Sequence, residues 1–168
     1  KKYEKKDKKF LCKKIALSNK NQTKIFFTPY FKNFAITQMA GLSKNGVKKR
    51  LEDSLYVKSL FDKIYLKKEK VKTIKLDNFN LKPRFIKIDI EGHEFECIVG
   101  SLKTIIKNKP IIMVEYDHKV CNKIFLLLKK YNYKRFIYNY RNEMLEKYHK
   151  QKVFNLFFID TNTVKIKL

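Results

Sequence analysis

Apolar and polar residues alternate from Phe85 to Glu91. Ile86, Ile88 and Ile90 share one side of an extended chain, while Lys87, Asp89 and Glu91 share the other. The period then changes, because Phe95, Ile98, Val99, Leu102, Ile105 and Ile106 recur at steps of three and four, which predicts a helix with Lys103, Lys107 and Lys109 toward its far end. Ile111 to Val114, entered through Pro110, is a continuous apolar run that suits a strand covered on both faces. A strand, helix, strand unit of roughly thirty residues implies parallel strands that end at one edge of the sheet. Asp89 and Glu91 from the first strand and Glu115 and Asp117 from the second are expected to converge there, where open α/β sheets take their ligands.

The flanking pattern is less regular. Ile15-Ala16-Leu17 and Lys24 to Thr28 read as a strand pair joined by the polar turn Asn19 to Gln22, with Pro29 ending the second strand. Between residues 30 and 70 the pattern predicts a loop from Gly41 to Gly46 and an amphipathic helix somewhere between Arg50 and Leu66. Val71 to Leu76 reads as a strand and Asp77-Asn78 as a turn. Beyond Asp117, Val120, Ile124, Leu127, Leu128 and Tyr131 predict a helix that Asn132-Tyr133 ends. Arg135 to Tyr140 is then a strand, 141 to 152 a polar connection, and Val153 to Ile159 a last strand. Residues 1 to 9 read as a solvated lysine-rich stretch, the tail of a helix whose body lies upstream.

Length and composition fit one domain over residues 1 to 168, with 44% hydrophobic residues, enough for a core. The net charge of +24 points toward polyanions, but only four of the 40 basic residues are arginine (Arg50, Arg84, Arg135, Arg141). Phosphate readers exploit the arginine fork, and the lysines here are scattered and not gathered into a stripe. The charge is therefore read as a solvated lysine surface, with no specific nucleic acid as partner. Cys12, Cys97 and Cys121 form no Cys-x-x-Cys pair, and no apolar run is long enough to span a membrane. The expected setting is reducing and cytoplasmic.

The acids carry the candidate chemistry. Carboxylates crowded together repel and lose hydration, so such a cluster in a cationic chain points to a site unless nearby cations compensate, as Lys87 could for Asp89. Asp89 is the first candidate for positioning or deprotonating a substrate, with Glu91 and His93 next; Glu115 and Asp117 would meet substrate or a divalent cation. Glu94 is read as a structural residue at a helix start, and Gly92 as the residue that permits a tight turn. His93-Glu94 opens like a zinc-protease helix, but Cys97 stands where the second histidine belongs, and Cys97 reads instead as a packing residue. Gly41 to Gly46 has the glycine spacing of a phosphate loop, but Val47 replaces its lysine. His118 and His149 read as surface histidines.

Phe85-Ile-Lys-Ile-Asp-Ile-Glu-Gly-His-Glu-Phe-Glu96, with Gly100 and then Lys109-Pro-Ile-Ile-Met-Val-Glu115, resembles the signature block of the FkbM-type methyltransferases. Ile15 to Asn21, Thr73 to Asp77, Tyr131-Asn-Tyr133 and Asn155 to Ile159 are similar to other segments of that family. The resemblance implies an α/β fold, a partial Rossmann-like class I methyltransferase sheet that is mostly parallel with an antiparallel final strand. It implies S-adenosylmethionine as cofactor, with Leu17 and Ser18 among its contacts, a divalent metal conceivable but not required, and O-methylation of a hydroxyl on a sugar, glycan or secondary metabolite. The family's upstream glycine loop and ribose-binding acid have no counterpart here, so the chain is expected to be the later part of a longer domain, inactive alone. A basic nucleic-acid-binding module and a noncatalytic remnant are the alternatives.

Overall fold

The computed structural model describes residues 11–54 and 62–163. The expected helix tail at residues 1 to 9 lies outside them. Strands β1 (Ala16–Leu17), β2 (Gln22–Phe31), β3 (Phe34–Ala35) and β4 (Ile64–Ile74) form one sheet in the order β1-β4-β2-β3, with helix α1 (Lys44–Asp53) in the β3 to β4 connection. A second sheet is built from β5 (Phe85–Ile88), β6 (Ile111–Glu115), β7 (Tyr133–Asn139), β8 (Met144–Lys147) and β9 (Asn155–Asp160), in the order β5-β6-β9-β7-β8. Helices α2 (Glu94–Val99) and α3 (Leu102–Asn108) connect β5 to β6, and α4 (His118–Leu128) connects β6 to β7.

The parallel pair β5 and β6 follows the expectation, with Lys87 beside Met113 and Ile88 beside Val114. The final strand is antiparallel, also as expected, but it inserts between β6 and β7. Both sheets are consequently mixed, with β1–β4 and β5–β6 as their parallel pairs, and "mostly parallel" does not describe them. Other differences have local causes. β1 and β2 do not pair with each other, because β4 runs between them along the full length of β2. β2 continues through Pro29, whose carbonyl accepts from Ile36 N on the β3 side, so the missing N–H costs the ladder to β4 nothing.

The loop expected from Gly41 to Gly46 turns into α1 at Lys44, because Ser43 caps it by accepting from Gly46 N. The helix sought between Arg50 and Leu66 thus begins earlier; residues 55–61 lie outside the described residues, and 64–66 belong to β4. One expected helix is two, since Ser101 Oγ donates back to Cys97 O and α3 restarts with its amides of Lys103 and Thr104 on the Asp77 carboxylate. The connection 141 to 152 contains β8.

The core lies between the second sheet and its helices: Ile88, Ile112, Val114, Leu156 and Phe158 meet Ile98, Ile105, Cys121, Ile124 and Leu128. Cys97 packs there as expected, and burial pushes its thiol up to about 11. Tyr133 is also buried and donates to Pro110 O at 2.9 Å, pinning β7 to the entry of β6.

Candidate functional site

β5 ends at Ile88, so Asp89 and Ile90 already belong to a turn and not to the strand. Glu91 (φ 56°) and Gly92 (φ 89°) both take left-handed backbone, which reverses the chain into α2. Glu94, only 4% exposed, holds this turn from inside: its Oε1 accepts from Ile90 N (3.3 Å) and Gly92 N (3.0 Å). The structural reading of Glu94 is what the geometry gives. Glu94→Ala is expected to lower unfolding free energy by about 2 kcal/mol in urea titration, with Glu94→Gln, which keeps an acceptor, losing less.

The turn brings three carboxylates together. Single oxygens of Asp89, Glu91 and Glu115 all lie within 4.8 Å of one another. Burial and then the neighbouring acids raise Glu115 above its ordinary range, although it remains reached by solvent; burial, opposed by Arg50, raises Glu91. Lys87 Nζ lies 3.0 Å from Asp89 Oδ2. Asp117 stands apart from the trio: it caps α4, its Oδ1 accepting from Val120 N at 2.8 Å. Two clefts meet at Glu91. One, of about 390 Å³, is lined by Arg50, Glu91, Glu94, Glu115 and Asp117. The other, of about 460 Å³, is lined by Ile15, Ala16, Leu17, Leu42, Asp89 and His93 among others.

His93 and Ser18, singled out for different reasons, are hydrogen-bonded: Nε2 and Oγ lie 2.9 Å apart. Ser18 is fully buried, its amide donating to Ile74 O. Burial lowers the His93 pKa below 6.5, while Glu96, 3.6 Å from Nδ1, pulls the other way. The unfolded chain takes up a proton near 6.5 and the folded chain only at lower pH, so stability falls as pH drops below 6.5 until the folded value is passed. His93→Gln should flatten the dependence of unfolding free energy on pH within that window.

Arg50 was not singled out by the sequence pattern. Its guanidinium donates to Glu91 O (3.0 Å) and to Met39 O and Ala40 O (both 3.1 Å), and its Nε lies 3.7 Å from Glu91 Oε2. It ties the acidic turn to the segment before α1. A Cβ on Gly41 would come within 2.8 Å of this guanidinium, so Gly41 makes room for it. The available signal was the scarcity of arginine among lysines, since the rigid fork reaches carbonyls on two sides from separate nitrogens, where a lysine offers donors at a single point. Arg50→Lys is expected to cost about 2 kcal/mol in urea titration.

Among solved structures, the chain is similar to the crystal structure of methyltransferase FkbM from Methylobacillus flagellatus KT, at 18% identity and a TM-score of 0.36, covering 68% of this chain and 32% of that one. This chain therefore spans about a third of that protein's length. Comparison with curated proteins gives no match. The family model of the methyltransferase FkbM domain matches residues 1–135, which take in β1, the acidic turn with its Asp89 and Glu91, β6 and α4. On that match, the chain belongs to the FkbM methyltransferase domain family.

Proposed function

We propose that this chain contributes the acceptor side of an S-adenosylmethionine-dependent O-methyltransferase acting on a hydroxyl of a sugar, glycan or secondary metabolite. The observation that carries the reading is the meeting of Asp89, Glu91 and Glu115 beside the Ser18–His93 pair, at the carboxyl end of the parallel strands. The order β5-β6-β9-β7 also supports a Rossmann-like sheet of which this is the later part: β5, β6 and β7 run one way and β9 the other.

The described residues fit the methyl-donating end of the cofactor. Ile15, Ala16, Leu17 and Leu42 give an apolar wall, and Asp89 and Glu91 bring negative charge to the same cleft, complementing a sulfonium. For the methionine end they offer less, since Gly41 and Gly46 serve to seat Arg50 and to begin α1. When bound, the cofactor supplies the electrophilic methyl group. The chain's own part is to hold the acceptor hydroxyl in line and to take its proton as the new oxygen–carbon bond forms. Asp89 is the first acceptor of that proton and Glu91 its neighbour. Neutral His93 lies against Ser18, in position to orient the hydroxyl or relay the proton. Glu115 and Asp117 line the approach of the substrate.

The three carboxylates have the oxygen chemistry a magnesium ion accepts, but Lys87 and Arg50 already neutralise part of their charge. We expect methyl transfer by the full-length gene product to survive chelation with EDTA; loss of activity, restored by magnesium, would make the cluster a metal site. The test of the reading itself is transfer of labelled methyl from S-adenosylmethionine to a panel of hydroxyl acceptors. Transfer to none of them, together with no cofactor binding, would leave a noncatalytic remnant.

A further inference from the structure

Away from the acids, a cleft of about 440 Å³ opens between β7, β9 and the segment that precedes β9. Its rim carries aromatic rings that the core does not use: Phe154 is 90% exposed and Tyr140 79%, and Tyr140 meets Tyr138 edge-on with centroids 4.9 Å apart. Exposed rings gathered in one concavity mark a binding surface. Asn155 and Arg141 line the same cleft. Asn139 is already committed, donating to Glu146 and accepting from Arg141 N.

This cleft and the acidic turn are joined by register. Glu115 pairs with Asn155, and Tyr116 N donates to Phe154 O. Phe157 pairs with Phe136, so continuing that register by two residues brings Tyr138 across from Asn155. Directly paired residues face the same side of a sheet, so Glu115, Asn155 and Tyr138 form one row. Two strand spacings separate its ends, about 10 Å.

We propose that the Tyr138, Tyr140 and Phe154 cleft is a saccharide subsite that lays an oligosaccharide along this row and delivers one of its hydroxyls to Asp89 and Glu115. A pyranose has apolar C–H faces and a hydroxylated edge. Flat rings cover the first, and an amide and a guanidinium serve the second. The inference rests on the methyltransferase reading for what happens at the acids, but the binding itself does not.

The test is binding of the full-length protein to a printed array of defined oligosaccharides, with each hit measured by titration. Tyr140→Ala and Phe154→Ala, both at exposed positions, are expected to weaken the bound oligosaccharide roughly tenfold each. Leu126→Ala, at an exposed position of α4 that does not line the cleft, should bind it unchanged. A blank array, or binding indifferent to both substitutions, overturns the subsite. So does self-association in sedimentation that the same substitutions abolish, which would make the face a protein interface. Saccharide bound in the cleft without methyl transfer sinks the enzymatic reading alone; methyl transfer to a non-saccharide acceptor with a blank array sinks the subsite alone.

Discussion

Asp89→Asn in the full-length protein should lower kcat for methyl transfer by about two orders of magnitude, the ordinary value of a positioned proton acceptor. The fold should be untouched. Asp89 stands exposed in a turn beside Glu91 and Glu115, and its ion pair among the described residues is with Lys87, itself half in solvent; a surface pair of this kind contributes about 0.5 kcal/mol. The urea midpoint of the variant is therefore expected to match that of the parent, and the Km for the acceptor to change far less than kcat. Rates indistinguishable from the parent would remove Asp89 from the chemistry, leaving Glu91 and His93 to be tested in the same way.

The largest structural effect is expected at Gly100, which ends α2 against the turn after β1. A Cβ there would lie 2.8 Å from Ser18 C and 3.2 Å from Asn19 Cα, atoms of the backbone that cannot rotate out of the way. Its φ of −75° is open to any residue, so proximity, not conformation, demands glycine. Gly100→Ala must push the turn and the helix apart, at a cost of about 3 kcal/mol in unfolding free energy. The displacement also draws Ser18 from His93, so residual folded protein should show a His93 ring titration, followed by NMR, moved back toward 6.5. Parent-like stability in this variant would mean that the close approach of the two segments is not as described.

Why the sequence revealed one half of the molecule better than the other follows from where the pattern is local. Phe85 to Glu115 alternates, turns helical and becomes continuously apolar within a single crossover, so its strands and the meeting of Asp89 with Glu115 could be read directly. The break at Gly100-Ser101 was hidden because apolar spacing runs straight through it; only the Ser101 back-bond and the Asp77 carboxylate divide the helix. Pairings made far along the chain left no such trace. β4 entering between β1 and β2, and β9 between β6 and β7, are choices of partner, and alternation alone does not name a partner. Arg50 was missed for a related reason, since the carbonyls it serves belong to segments that only the fold brings beside it. Asp117 was correctly placed at the end of β6, but at the start of a helix its carboxylate is taken up by an N-cap, a role the spacing Asp117 to Val120 could have suggested.

Titration of the Glu115 carboxyl by carbon-detected NMR, in the parent and in Asp89→Asn, addresses the convergence of the acids without requiring activity, cofactor or acceptor. The parent should titrate above the ordinary 4.5 of a glutamate, and removing the neighbouring charge should bring the midpoint down. An ordinary midpoint that ignores the substitution would contradict the shared pocket, and with it the proposed role of these residues.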